Sequence, residues 1–255
     1  MLMSKIALIT GATSGIGKAC AEIYAQNGFN LIITGRRADR LATFKNQLES
    51  DYAIKVQALC FDVRDRNAVE TNLQSLPDDW RKIDILINNA GLSRGFDPIQ
   101  NGNLDDWESM IDTNIKGLLY VSKIVSNWMI PFKSGHIVNL GSIAGKEVYA
   151  NGNVYCATKS AVDALNKAMR IDLVPYGIRV TGIHPGAVET EFSVVRFHGD
   201  EEKAAKVYEG YEPLIAKDIA ETIYFVTSRP NHVNINDLVI MPTAQASAFY
   251  WNKNL

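Results

Sequence analysis

KIALITGATSGIGKACAEIYAQN, residues Lys5 to Asn27, passes from strand to turn to helix without a break. Lys5-Ile-Ala-Leu-Ile-Thr10 is a short apolar run bounded by a turn, the pattern of a buried strand. Gly11-Ala-Thr-Ser-Gly15-Ile-Gly17 is the turn, and a helical pattern follows from Lys18 to Asn27. Strand, glycine turn and helix in that order make a phosphate cradle. The helix N-terminus offers unpaired N–H groups and the positive end of the dipole. The glycines let a pyrophosphate approach the backbone and let the helix pack on the strand. The spacing is GxxxGxG rather than GxGxxG. A glycine turn alone also serves ordinary loops, so its weight comes from lying between a first strand and a helix.

The same rhythm continues outward. Phe29 to Thr34 reads as a second strand and is followed by Gly35-Arg36-Arg37. In dinucleotide folds a carboxylate about 20 residues past the glycines holds the ribose of NAD, whereas an arginine accommodates the 2′-phosphate of NADP. No acid stands between Thr34 and Arg37, and two arginines do. A guanidinium pairs well with phosphate, so NADP is the expected cofactor, with Arg36 the first choice and Arg37 beside it. The competing reading is that both arginines open a solvated helix from Ala38 to Glu49. Ile54 to Phe61 is a third strand, and Asp62 after it either reaches the adenine or caps a helix beginning near Asp65. Ile83 to Ile87 is a fourth, ending in Asn88-Asn-Ala-Gly91. Strands alternating with helices imply right-handed βαβ units and a parallel sheet, with ligands beyond the carboxyl ends of the strands. Thr10, Gly35, Asp62 and Asn89 all fall at such ends.

The second half carries the chemistry. Asp105-Asp106 are expected to cap a long helix reaching about Trp128, with Asn114 in its middle. That asparagine either bonds a partner or faces solvent. His136 to Leu140 reads as a buried strand that delivers Ser142, and Tyr155 and Lys159 share a helix face. A phenol normally titrates near pH ~10, and a nearby cation is expected to lower it towards a useful range. The helix runs to about Leu173, before Pro175-Tyr-Gly177. Ile178 to Ile183 is another strand, ending in His184-Pro-Gly-Ala-Val188. Glu189 to Pro213 has weak periodicity and reads as a long binding loop, with Thr190, Phe192, Arg196 and Phe197 as contact candidates. Lys217 to Ser228 is helical and Leu238 to Met241 a last strand. The tail from Pro242 to Leu255, with Phe249, Tyr250 and Trp251, suggests docking on the body or on a second subunit.

Composition narrows the class. The chain has 255 residues, 47% hydrophobic and 21% charged, with a formal net charge of -2. That suits one globular domain, residues 1–255, and gives no sign of nucleic acid or anionic membrane as partner. Cys20, Cys60 and Cys156 form no CxxC pair, the histidines have no metal-ligand spacing, and so neither disulfide nor metal is expected. The amino-terminal residues Met1 to Lys5 lack the apolar region of a signal peptide. No apolar run approaches the ~20 residues that span a bilayer. A reducing compartment, the cytoplasm, is the expectation.

TGATSGIG (Thr10–Gly17), NNAG (Asn88–Gly91), Asn114, Ser142, YCATK (Tyr155–Lys159) and Pro185-Gly186 together resemble the short-chain dehydrogenase/reductase family over essentially the whole chain. The resemblance implies a Rossmann-type, doubly wound parallel sheet of about seven strands. It also implies a catalytic tetrad of Asn114, Ser142, Tyr155 and Lys159. Tyr155 would exchange a proton with the substrate oxygen, Ser142 would orient that oxygen, and Lys159 would lower the tyrosine pKa and hold the nicotinamide ribose. Asn114 would hold a water linking Lys159 to solvent. Cofactor contacts are implied at Gly11, Thr13, Ser14, Gly15, Ile16, Gly17, Arg36, Arg37, Asp62, Val63, Asn89, Gly91, Pro185, Gly186, Val188 and Thr190, besides Tyr155 and Lys159. TGRR (Thr34–Arg37), DWESMIDTNIKGLLY (Asp106–Tyr120), GNVYCATK and TEFSVVRFHGD (Thr190–Asp200) are similar to the NADP-dependent 3-hydroxy acid dehydrogenases, which implies a homotetramer and a carboxylate-bearing substrate such as serine, allo-threonine or 3-hydroxypropionate. A carboxylate needs a cation; Arg196 is the candidate and Arg94 the second. A 3-oxoacyl carrier-protein reductase or general carbonyl reductase shares the tetrad. No Lys/Arg cluster in Glu189–Pro213 offers an acidic carrier a dock. A cofactor-sensing protein without chemistry is a further class, against which the complete tetrad argues.

Overall fold

The computed structural model describes residues 4–253. The expectations for Met1 to Met3 and for the last two residues of the tail lie outside that range. The chain alternates β1 (Ile6–Ile9), α1 (Gly15–Gln26), β2 (Asn30–Gly35), α2 (Ala38–Asp51), β3 (Val56–Cys60), α3 (Arg66–Gln74) and β4 (Ile85–Asn88). Then come α4 (Leu104–Ile111), α5 (Leu118–Met129), β5 (Gly135–Leu140), α6 (Asn153–Leu173) and β6 (Ile178–Pro185). A short pair, β7 (Val188–Glu189) and β8 (Leu214–Ile215), encloses α7 (Phe192–Arg196) and α8 (Glu201–Lys206), and α9 (Ala216–Thr227) and β9 (Asp237–Ile240) close the chain.

The main sheet has seven strands in the order β3-β2-β1-β4-β5-β6-β9, and every pair is parallel. Both faces are covered, and for that reason the strands read as unbroken apolar runs. The period of two still sorts them. Ala7 and Ile9 of β1 join Leu31 and Ile33 of β2 in one core, against Tyr24 of α1 and Ile219, Ile223 and Val226 of α9. Ile6, Leu8 and Ile32 face the other core, with Leu73 of α3 and Val121, Val125 and Met129 of α5. The strand order reverses between β1 and β4, and the crevice at such a point is where ligands bind in open α/β sheets. No helix among the described residues is long and apolar enough to cross a membrane.

Three local expectations are corrected. Asp105 and Asp106 do not cap the helix; Asn103 does, accepting from Asp106 N at 3.1 Å. The expected single helix to Trp128 is two, α4 and α5, joined by a π-helical turn over Asp112–Gly117. Glu189–Pro213 is not irregular, because α7, α8 and the β7–β8 pair order it. In the tail, Trp251 docks on Tyr211 with ring centroids 4.8 Å apart and bridges to Gln245, while Phe249 and Tyr250 stay exposed.

His136 of β5 is fully buried, with Nε2 2.7 Å from Thr181 Oγ1. Burial, with the Arg179 cation adding to it, pushes its pKa down to about 3. Below the unfolded value near pH ~6.5 the unfolded chain takes a proton that the folded chain refuses. Stability from this group is therefore complete above that value and is lost as pH falls towards the folded value. Unfolding free energies measured near pH ~7 and ~4.5 are expected to differ by on the order of 2 kcal/mol more in the natural chain than in a His136→Gln variant. An equal drop in both would place the acid sensitivity elsewhere.

Candidate active site

The crevice between β1 and β4 opens into a cleft of about 310 Å³. Its floor is the glycine turn. Gly11 and Gly15 have φ of +69° and +54°, a region that side chains disfavour. A Cβ on Gly17 would collide with the Gly11 carbonyl and the Asn89 amide, so α1 can approach the turn only with glycine there. No side chain among the described residues caps α1, whose N-cap is Ser14, and its first N–H groups are left for an anion. Asn89 knits the two strand ends: Nδ2 donates to Thr10 O at 2.8 Å and Gly11 O at 3.1 Å. Its Nδ2 is thus engaged on the cradle.

The cleft is lined by Gly11, Thr13, Ser14, Gly15, Ile16, Arg36, Arg37, Asp62, Val63, Asn89, Gly91, Pro185, Gly186, Val188 and Thr190, and by Ser142, Tyr155 and Lys159. Gly17 shapes the floor; Asn114 packs beside Gly91 and Arg196 beside Tyr155, both of which line the cleft. Of the two arginines Arg37 is tied down, donating to Thr13 Oγ1 and Ser14 Oγ at 2.8 Å each and pairing with Glu191 at 2.8 Å. Arg36 is freer, half exposed and 3.7 Å from Asp62. Asp62 does not cap α3; Asp65 does, accepting from Ala68 N at 3.0 Å. Asp62 instead holds Arg64 at 2.7 Å at the cleft edge.

β5 and α6 deliver the reacting groups. Gly141 leaves room for the buried His184 ring, which a Cβ would strike, and the chain then turns so that the Ser142 hydroxyl accepts from Ala144 N at 3.1 Å. Ser142 stands near enough to the Tyr155 phenol to pull its pKa down. Tyr155 and Lys159 are buried, at 8% and 6% exposure. Asn114 is buried rather than solvent-facing, inside the π-helical turn, a device frequent at functional sites. Its amide accepts from Leu92 N at 2.9 Å and donates to Leu92 O at 2.8 Å and Thr158 Oγ1 at 3.0 Å. Thr158 in turn donates to Tyr155 O at 2.8 Å, so Asn114 braces the turn of α6 that carries the tyrosine.

One electrostatic expectation is reversed. Burial raises the Tyr155 pKa well above the ordinary phenol value, Tyr149 adds to it, and the Ser142 hydroxyl and Arg196 only partly offset this. Burial is the cause, and Lys159 is engaged elsewhere. Its Nζ donates to Leu140 O at 2.9 Å and stands 5.9 Å from the tyrosine ring centroid. Burial also pulls the Lys159 pKa down to about 8.

Arg196, at the end of α7, comes to the same spot. Its guanidinium carbon lies 5.0, 5.6 and 5.6 Å from the ring centroids of Phe96, Tyr149 and Tyr155. Nη2 donates to Tyr149 Oη at 2.6 Å, while no described carboxylate lies within 4.0 Å of it. Arg94 is 3.9 Å from Asp106 and so already has an acid near it. Sequence reasoning missed Phe96, Tyr149 and Glu191; nothing local in the sequence marks them. Asp163, His184 and Asp237 form a cluster of possible metal-ligand atoms, but the Lys146 ammonium already bridges the two carboxylates at 2.8 Å each.

The short chain dehydrogenase model matches residues 5–200. An NADP-dependent 3-hydroxy acid dehydrogenase of Salmonella typhi is 47% identical over 95% of this chain and 97% of its own length. A sulfoacetaldehyde reductase of Chromohalobacter salexigens is 45% identical over 97% and 98%. Among solved structures, the closed form of a serine dehydrogenase complexed with NADP+ superposes with a TM-score of 0.90 at 46% identity, over 95% of this chain and 97% of that one. The Escherichia coli serine dehydrogenase gives 0.82 at 41% identity, over 94% and 99%. The chain belongs to the short-chain dehydrogenase family. It is an oxidoreductase acting on CH–OH groups, and NADP is its cofactor. The uncapped helix, the glycine floor and the Arg36–Arg37 pair fit a dinucleotide with an added phosphate.

Proposed function

We propose that this dehydrogenase of the short-chain family interconverts short 3-hydroxy acids and their 3-oxo forms. The observation that carries this reading is Arg196: a guanidinium held among Phe96, Tyr149 and Tyr155, beside the reacting phenol, with no described carboxylate to neutralise it. A small molecule with a hydroxyl and a carboxylate a short carbon chain apart spans from Tyr155 to Arg196. A guanidinium in an aromatic setting binds a carboxylate strongly because both charge and fork geometry match.

In this reading Arg36 and Arg37 would take the 2′-phosphate, the glycine turn would take the pyrophosphate, and Lys159 would hold a ribose. When bound, the cofactor would supply the hydride chemistry. Tyr155 gives its proton to the substrate oxygen in reduction and takes it back in oxidation. Ser142 holds that oxygen in place, and Asn114 keeps α6 in register. Asn114 would also hold a water linking Lys159 to solvent, although its side chain is engaged by Leu92 and Thr158. Residues 1–255 act as one domain. Exposed apolar side chains on α4 and α5 (Leu104, Leu119) and on α9 and β9 (Phe225, Val239) support self-association to a homotetramer. Three free cysteines support a cytoplasmic, reducing location.

A sulfonate is a second reading, because an anion site is indifferent to carboxylate or sulfonate and one relative is a sulfoacetaldehyde reductase. Initial rates decide between them. NADP reduction with L-serine, L-allo-threonine and 3-hydroxypropionate is expected to exceed that with neutral alcohols of the same size by roughly 10-fold or more. Silence with all three acids, alongside NADPH oxidation by sulfoacetaldehyde, would replace the carboxylate with the sulfonate.

A further inference from the structure

Glu191 lies between β7 and α7 and lines the cleft close to the glycine turn, whose Gly15 faces the neighbouring Thr190. Its carboxylate grips two guanidinia: Oε2 is 2.8 Å from Arg37 Nη1 and Oε1 is 2.8 Å from Arg40 Nη1. Those two hydrogen bonds hold the Glu191 carboxyl below its ordinary range, with Arg37 the larger influence, so it is an anion at neutral pH. Arg37 meanwhile donates to the Thr13 and Ser14 hydroxyls of the turn. A carboxylate bridging two guanidinia at the mouth of a nucleotide cradle presents what a phosphate monoester would present there: negative oxygens accepting from planar forks. The arrangement is open to exchange. The Glu191 and Arg40 side chains are about half exposed and Arg37 somewhat less so, and solvent and salt weaken ion pairs of that kind. Arg36, next door, has only its 3.7 Å contact to Asp62 and is available to another phosphate oxygen.

We propose that Glu191 is a built-in stand-in for the 2′-phosphate: it occupies Arg37 and Arg40 in the cofactor-free chain, competes with NADP for them, and so sets the strength of the preference for NADP over NAD. This rests on reading Arg36 and Arg37 as the phosphate site. A phosphate near its second ionisation carries more charge than one carboxylate, so it displaces Glu191 from the arginines. A nucleotide without the phosphate leaves the Glu191 pairs intact and meets no competition. The carboxylate therefore weakens binding of the phosphorylated cofactor alone, and its removal widens the discrimination.

Calorimetric titration tests this without turnover, using adenosine 2′,5′-bisphosphate and 5′-AMP as probes that differ by the phosphate in question. Glu191→Gln is expected to tighten the bisphosphate roughly fivefold, with 5′-AMP unchanged, and the gain is expected to shrink as salt is raised. Arg36→Gln, which does not touch Glu191, is expected to weaken the bisphosphate roughly 10-fold and spare 5′-AMP. If Arg36→Gln leaves bisphosphate affinity intact, the phosphate site is elsewhere and the stand-in falls with it. If Arg36→Gln behaves as expected but Glu191→Gln weakens both probes, Glu191 is a clamp over any bound nucleotide. In that case the stand-in is overturned while the phosphate site stands. It is overturned in the same way if Glu191→Gln changes neither probe.

Discussion

Tyr155→Phe is expected to lower kcat by roughly 10²–10⁴-fold, the usual weight of a positioned proton donor, while NADPH affinity stays within about twofold of the natural chain. The substitution removes one oxygen and keeps the ring. The ring's neighbours, Phe192 at 5.7 Å and the Arg196 guanidinium at 5.6 Å, lose nothing. The loss is therefore chemical rather than a matter of packing. Before cofactor binds, burial holds the Tyr155 proton firmly. The group is therefore protonated at neutral pH, the state from which it donates to a carbonyl oxygen. In the oxidative direction the same group must first give that proton up, so the oxidation rate is expected to rise with pH through the alkaline range and the reduction rate to fall. Steady-state kinetics in both directions, with a fluorescence titration of NADPH, would measure all of this. Undiminished turnover in the phenylalanine variant would remove Tyr155 from the mechanism.

Much of the fold is legible in the chain because both faces of the sheet are covered. Leu31-Ile-Ile33 and Ile85-Leu-Ile87 have to be apolar on either side, and a run of that kind bounded by glycine or asparagine reads plainly. The pairing of Tyr155 with Lys159 is legible for a similar reason, since helical spacing alone puts them together. What escapes is decided by contacts distant in sequence. The break between α4 and α5 follows from Asn114 turning to the Leu92 backbone, a partner 22 positions away. Lys159 is held by the Leu140 carbonyl, 19 positions back, and the burial that raises the phenol pKa comes from packing that no local pattern shows. The N-cap of α4 is contested by Asn103, Asp105 and Asp106, neighbours of similar capping strength. Only the path of the incoming loop selects Asn103. Glu191 meets Arg37 across 154 positions, and no local pattern announces such a pair.

Arg196→Met is expected to lower kcat/KM for a 3-hydroxy acid by roughly 10- to 100-fold, the worth of a charge-assisted hydrogen bond lost from a partly buried site. Most of the change should appear in KM, because the acid group is bound equally before and during reaction. Methionine keeps an apolar stem against Phe96 and Tyr149, yet some packing is lost, since the guanidinium itself lies over both rings. That loss is blind to the substrate's charge. The decisive quantity is therefore a ratio: kcat/KM for 3-hydroxypropionate over that for its methyl ester, measured in the natural chain and in the variant. If Arg196 binds the carboxylate, the ratio collapses, since the ester never had the ion pair to lose. If Arg196 merely shapes the pocket, both substrates fall together and the ratio holds. Arg94→Met supplies the comparison. Its guanidinium lies 3.9 Å from Asp106, which also holds His198 at 2.9 Å, so removing it should change the ratio much less. A collapse in the Arg94 variant and not in the Arg196 variant would move the acid-binding site from α7 to the loop that follows β4, and the 3-hydroxy acid reading would then rest on Arg94.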